Sequence, residues 1–211
     1  NPLMRTAIGA FLLSSAFAVT PASAAKAEPV TDADRAMLRA IWEDAIRTPT
    51  AKGRGQVPKL AEMFAARLRE AGFRDEDIQI LPLEIEGGTT AGLVVRYAGR
   101  DPKAKPIALL GHMAVVDAIA ENWSTDPYVP TGKDGYIYGR GSSDNKAGTS
   151  AVIATFVRLK RAGFVPERDL VICSFGIVAK TKLNHRLVDA WLASTLRDSP
   201  SARLVFVGDH Y

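Results

Sequence analysis

The stretch Ile107-Ala108-Leu109-Leu110-Gly111-His112-Met113-Ala114, read together with Gly139-Arg140-Gly141-Ser142-Ser143-Asp144-Asn145-Lys146, decides the fold. The apolar run reads as a strand from Pro106 to Leu110, with His112 just beyond its C-terminal end, where open α/β sheets place their ligands. Asp144 comes after two glycines and opens an apolar-periodic helix. A neutral nitrogen and a hard oxygen are thereby brought toward one point, the mixed donor set that zinc accepts.

The flanking segments alternate between helical and strand patterns. Thr31 or Asp32 can cap a first helix in which Met37, Leu38, Ile41, Trp42 and Ala45 recur at helical spacing. A second helix takes Pro58 in its first turn, carries Leu60, Met63, Phe64 and Leu68 as its apolar stripe, and is ended by Gly72. Ile78 to Leu83 and Leu93 to Tyr97 read as strands on either side of Glu86-Gly87-Gly88, a turn signal. Asp101 to Lys105 links them to the strand before His112.

A long loop is expected from Asp117 to Asp134, then a short strand Tyr136-Ile137-Tyr138. Loops of that length in compact domains are usually functional or disordered. A helix from Asn145 to Ala162, with Val152, Ile153, Phe156, Val157 and Leu159 inward, stops at Gly163. A strand from Leu170 to Phe175, a helix near Asn184 to Leu196 and a strand from Leu204 to Val207 complete the pattern. The alternation predicts an α/β domain of three layers, a largely parallel sheet with helices on both faces.

Composition narrows the function classes. Arg5, the apolar run Ala7 to Val19 and the small-residue site Ala22-Ser23-Ala24 read as a secretory signal peptide over residues 4–24. That apolar run is shorter than the ~20 residues a membrane span needs. The mature chain is expected to start near Ala25, to be exported to the periplasm or the extracellular space, and to have no membrane association after cleavage. Losing Arg5 lowers the formal net charge from +4 to +3, and the basic residues are scattered singly, so no nucleic-acid partner is expected. Cys173 is the single cysteine and falls in an apolar strand pattern, which favours a packing role over a reactive thiol.

The ordered pieces Leu109-Leu110-Gly111-His112-Met113, Trp123 with Asp126-Pro127-Tyr128, Asp134-Gly135-Tyr136-Ile137-Tyr138-Gly139-Arg140-Gly141 with Asp144 and Lys146, and Arg158-Leu159-Lys160 with Gly163-Phe164 resemble metallopeptidase family twenty. That family includes aminoacylases, acetylornithine and succinyl-diaminopimelate deacylases and glutamate carboxypeptidases. The resemblance covers roughly Thr31 to the end of the chain. It implies a zinc-exopeptidase-like catalytic domain, of which residues 25–211 are the first part, without the lid or dimerisation domain and the later half. The oligomeric state stays open for that reason. The implied substrates are peptides or N-acyl amino acids.

The same resemblance makes His112 a ligand of one zinc, Asp144 the carboxylate bridging two, and Asp209 the third ligand of the His112 zinc. It also marks what has been replaced. The aspartate that orients the imidazole is Ala114 here, the general-base glutamate aligns with Val178, and the adjacent ligand glutamate aligns with Ala179. A general base typically contributes ~10²- to 10⁴-fold, and valine cannot exchange protons. An orienting group behind a ligand histidine is commonly worth ~10- to 100-fold in affinity or activity. The expectation is at most one weakly held zinc ion and little or no amide hydrolysis. A non-catalytic relative or fragment that binds a peptide-like ligand or a partner is the alternative.

Each residue also has an ordinary use. A lone histidine is more often a hydrogen-bonded core residue, an aspartate before a helix often caps it, and Asp209 can be a turn aspartate. His185 and His210 read as solvent-facing and Lys180 and Lys182 as a solvated loop.

Overall fold

A computed structural model describes residues 29–85 and 87–176. The expected signal peptide, the helix near Asn184 to Leu196, the strand from Leu204 to Val207, and Val178, Ala179 and Asp209 lie outside the described residues.

The first helix, α1 (Asp32–Arg47), starts at a capping box: the Thr31 hydroxyl accepts from the Asp34 amide, and the Asp34 carboxylate accepts from the Thr31 amide. Its inner face buries Ile41, Ala45 and Ile46. Helix α2 (Val57–Glu70) takes Pro58 in its first turn, where the missing amide hydrogen costs nothing, and buries Leu60, Phe64 and Leu68 completely. Full burial of each such side chain is worth about 1.5–3 kcal/mol.

Strands β1 (Ile78–Ile85) and β2 (Gly88–Tyr97) form an antiparallel hairpin in which Ile85 pairs with Gly88. Both strands run further toward the turn than their apolar cores predict. Ladder hydrogen bonds hold the polar residues Glu84, Thr89 and Thr90 in register as well. Strand β3 (Ile107–His112) carries the extended conformation as far as the histidine. The expected long loop is shortened by a 3-10 turn at Ala120–Asn122 and by strand β4 (Thr131–Lys133), which pairs antiparallel with β5 (Tyr136–Tyr138). Helix α3 (Lys146–Arg161) then leads to β6 (Leu170–Phe175).

The main sheet has the order β1-β2-β6-β3. Strand β6 is parallel to β3 and antiparallel to β2, so the described sheet is mixed. A two-residue connection forces the hairpin pair to be antiparallel, whereas the helical crossover through α3 permits the parallel pair. Ile78, Val95, Ile172 and Leu109 stand in one row across the four strands and belong to or pack on the core built with α2 and α3. The three described helices share this core: α2 lies on β1 and β2, α3 on β3, and α1 against α3. No helix among the described residues is long and apolar enough to cross a membrane.

Gly111 lies two residues further along β3, beside Ser174 of β6. A Cβ at this position would stand 2.9 Å from Thr149 Oγ1 of α3. The glycine therefore lets the first turns of α3 seat directly on the strand that ends in His112.

Candidate functional site

His112 and Asp144 meet at the C-terminal edge of β3. His112 Nε2 lies 2.9 Å from Asp144 Oδ1, and His112 Nδ1 lies 2.8 Å from the Ala114 carbonyl oxygen. Asp144 does not cap α3: Asn145 holds the N-cap position and makes no side-chain cap bond. The peptide bond between Asp144 and Asn145 is cis.

Both ring nitrogens of His112 thus face oxygen acceptors. Neutral imidazole has one N–H, and a carbonyl can only accept. With that hydrogen on Nδ1 and donated to Ala114, Nε2 turns a lone pair toward a carboxylate, an arrangement that calls for a cation, either a proton or a metal. A backbone carbonyl thereby orients the imidazole, the task that the aspartate expected at position 114 would perform. The Ala114 side chain removes the charge of that partner while its backbone keeps the hydrogen bond.

The fit to zinc is partial among the described residues. His112 and Asp144 supply one nitrogen and one carboxylate, an appropriate chemical pair for zinc. No group of three or more histidine, cysteine, aspartate or glutamate side chains able to hold a metal occurs among the described residues.

The site's frame is a set of buried polar contacts that the local sequence pattern did not single out. Lys146 is fully buried at the first turn of α3, and its Nζ donates to the Thr48 carbonyl at 2.6 Å. Burial pushes its ammonium down from 10.5 to about 8. The Thr50 hydroxyl, also fully buried, donates to the Met113 carbonyl at 2.6 Å, and residues 51 and 115 form a parallel bridge. The segment after α1 is thus fastened both to α3 and to the residues that follow His112. Gly141, at φ +77, passes so close to Val115 and Lys146 that a Cβ would lie 2.6 Å from Val115 Cγ1. Trp42 of α1 donates from Nε1 to the Ser142 carbonyl at 3.0 Å.

Beside this frame, Asp117 Oδ1 accepts from Arg54 Nε at 2.9 Å, the Tyr128 hydroxyl at 2.8 Å and the Ala118 amide at 2.9 Å. The hydrogen bonds from Arg54 and Tyr128 hold its carboxyl below the usual range. The Arg54 guanidinium lies over the Tyr128 ring, 5.1 Å from its centroid. Arg54, Ala118 and Tyr128 border an open cavity of about 400 Å³. Cys173 is half-buried, and burial pushes its thiol up, away from the reactive thiolate.

Residues 108–176, which run from β3 through α3 to the residue after β6, match Peptidase family M20/M25/M40. Beta-Ala-His dipeptidase of Rattus norvegicus is 31% identical over 129 residues, 58% of this chain and 26% of that protein. Succinyl-diaminopimelate desuccinylase of Bordetella avium strain 197N is 38% identical over 93 residues, 44% of this chain and 22% of that protein. The chain thus spans about a quarter of the length of these curated relatives. Among solved structures, the di-peptidase Dug1p of Saccharomyces cerevisiae superposes with a TM-score of 0.64 at 22% identity, over 79% of this chain and 37% of that one. An M20 family metallo-carboxypeptidase of Sulfolobus solfataricus gives 0.53 at 15% identity, over 66% and 30%. These two likenesses show the fold. The stretch that carries His112 and Asp144 is therefore similar to peptidase family M20/M25/M40, on a fold shared with these two structures.

Proposed function

We propose that this chain carries the metal-proximal part of a zinc-dependent metallopeptidase or amide hydrolase, of the exopeptidase or N-acyl-amino-acid deacylase class, with impaired catalysis. The observation that carries this reading is the 2.9 Å approach of His112 Nε2 to Asp144 Oδ1 inside the family segment. His112 and Asp144 would hold the metal, with Asp209 as a third ligand from outside the described residues. Zinc, when bound, supplies a Lewis acid that polarises an amide carbonyl. The chain's own part is to aim Nε2 through the bond to Ala114 and to seat Asp144 through the packing of α3 on Gly111.

The impairment follows from side-chain chemistry. The side chains of Val178 and Ala179 have no carboxylate with which to take a proton or hold a second ion. At most one zinc ion, weakly held, is consistent with that set. The relatives, a Beta-Ala-His dipeptidase and a succinyl-diaminopimelate desuccinylase, support peptides or N-acyl amino acids as the ligand class. The replaced acids also favour a second reading, a non-catalytic protein that binds such a ligand without cleaving it. The signal-like residues 4–24 support export to the periplasm or the extracellular space.

Restoring the acids tests both readings. In a full-length context, the triple variant Ala114→Asp, Val178→Glu and Ala179→Glu is expected to bind more zinc and to gain turnover of N-acyl amino acids or dipeptides. If its metal content and turnover match the parent chain, the loss of these acids does not explain the impairment.

A further inference from the structure

We propose that the cavity beside the candidate metal site is a carboxylate-binding pocket whose recognition element is the outer edge of the Arg54 guanidinium. Arg54 stands between Gly53 at φ +83 and Gly55 at φ +61, two left-handed positions that turn the chain sharply on either side of it. Its side chain is fixed twice. Nε donates to Asp117, and the guanidinium face rests on the Tyr128 ring. Neither Nη group has a hydrogen-bond partner among the described residues.

That leaves two parallel N–H donors, already oriented, on the wall of a cavity of about 400 Å³. A guanidinium edge of this kind matches a carboxylate in the two-bond geometry that ammonium groups cannot reproduce. Preorganisation by Asp117 and Tyr128 removes most of the ordering cost that a long arginine side chain would otherwise bring to binding. Of the two nearby carboxylates, Asp117 is paired with Arg54, whereas Asp126 accepts from the neutral Tyr128 amide and keeps its negative charge on the cavity wall, so a cationic probe belongs in the test. Ala118, Ala120 and Pro127 offer apolar wall for the rest of a small ligand, and the volume lies within the range of small-molecule sites.

The pocket is tied to the candidate metal site through the chain itself. Asp117 lies five residues beyond His112, and the Pro127 carbonyl accepts from the Arg140 amide, on the segment that leads to Asp144. That the carboxylate belongs to a peptide or an N-acyl amino acid rests on the hydrolase reading; binding itself does not.

The test is calorimetric or NMR titration of the full chain in EDTA with three probes: N-acetyl-L-alanine, its neutral carboxamide N-acetyl-L-alaninamide, and the cation L-alaninamide. The acid is expected to bind in the millimolar range, and each of the other two about tenfold or more weakly, as the loss of a charge-assisted bonding pair implies. Arg54→Gln should erase the preference for the acid. Arg54→Lys should keep only part of it. Unchanged circular dichroism will show that these variants fold. Equal binding of acid and carboxamide, stronger binding of the cation, no detectable binding of the acid, or a preference that survives Arg54→Gln would each overturn the proposal. Because no metal is present, a failure here leaves the hydrolase reading standing, and a failure of turnover leaves this binding result standing.

Discussion

Replacing Lys146 with methionine separates the cost of a buried ammonium from the value of its hydrogen bond. In the folded chain this lysine gives up its proton near pH 8, while in the unfolded chain it keeps it to about 10.5. Between those values the unfolded state binds more protons, so the lysine's contribution to stability rises with pH. The gap corresponds to about 3 kcal/mol. Methionine has similar length and no charge, so Lys146→Met removes that cost at neutral pH, but it leaves the buried Thr48 carbonyl without its donor, a loss of about 1–3 kcal/mol. The two effects nearly cancel at pH 7. At pH 10.5 only the second remains, and the parent chain should be the more stable of the two. Urea unfolding of both proteins in EDTA from pH 7 to 10.5 measures the difference and cancels other titrating groups. A difference that stays constant to within about 0.5 kcal/mol across that window would mean that Lys146 carries no buried-charge cost.

Two further substitutions probe the frame of the site. Gly111→Ala would place its Cβ against Thr149 Oγ1 and push α3 outward, at a cost of about 1–3 kcal/mol. Thermal unfolding should show that loss, and adding Thr149→Ala should recover most of it; a single variant as stable as the parent contradicts the close seating. Thr50→Val removes the donor from the buried Met113 carbonyl and should destabilise the chain by about 1–3 kcal/mol. Denaturant titration measures this, and no change would mean that the clasp between residues 50 and 113 carries no weight.

The sequence announces the parts of the fold whose signals are local. Thr31 or Asp32 ahead of an apolar-periodic run marks a helix start, Gly87-Gly88 marks the hairpin, and the apolar run before Gly111 marks the strand that delivers His112. Asp144, after two glycines, is recognised in the same way and comes within hydrogen-bond distance of that histidine. What escapes a linear reading depends on distant partners. A lysine in an apolar-periodic helix looks like a surface residue, and the Thr48 carbonyl, at the C-terminal end of α1, accounts for its burial. The substitution at position 114 reads as the loss of an orienting group, because a backbone carbonyl leaves no trace in the residue type. Arg54 and Asp117 are 63 positions apart, and neither belongs to the pieces that carry the family resemblance. The mixed pairing of the sheet was equally hidden, since neighbouring strands in the sheet need not be neighbours in the chain.

The most direct test of the central claim is the zinc content and affinity of the purified, folded chain, measured by metal analysis after dialysis and by titration against a chelator of known affinity. No more than one ion per chain is expected, weakly held and lost in both His112→Ala and Asp144→Asn. Two tightly bound ions, or one whose affinity is unchanged by either substitution, would contradict it.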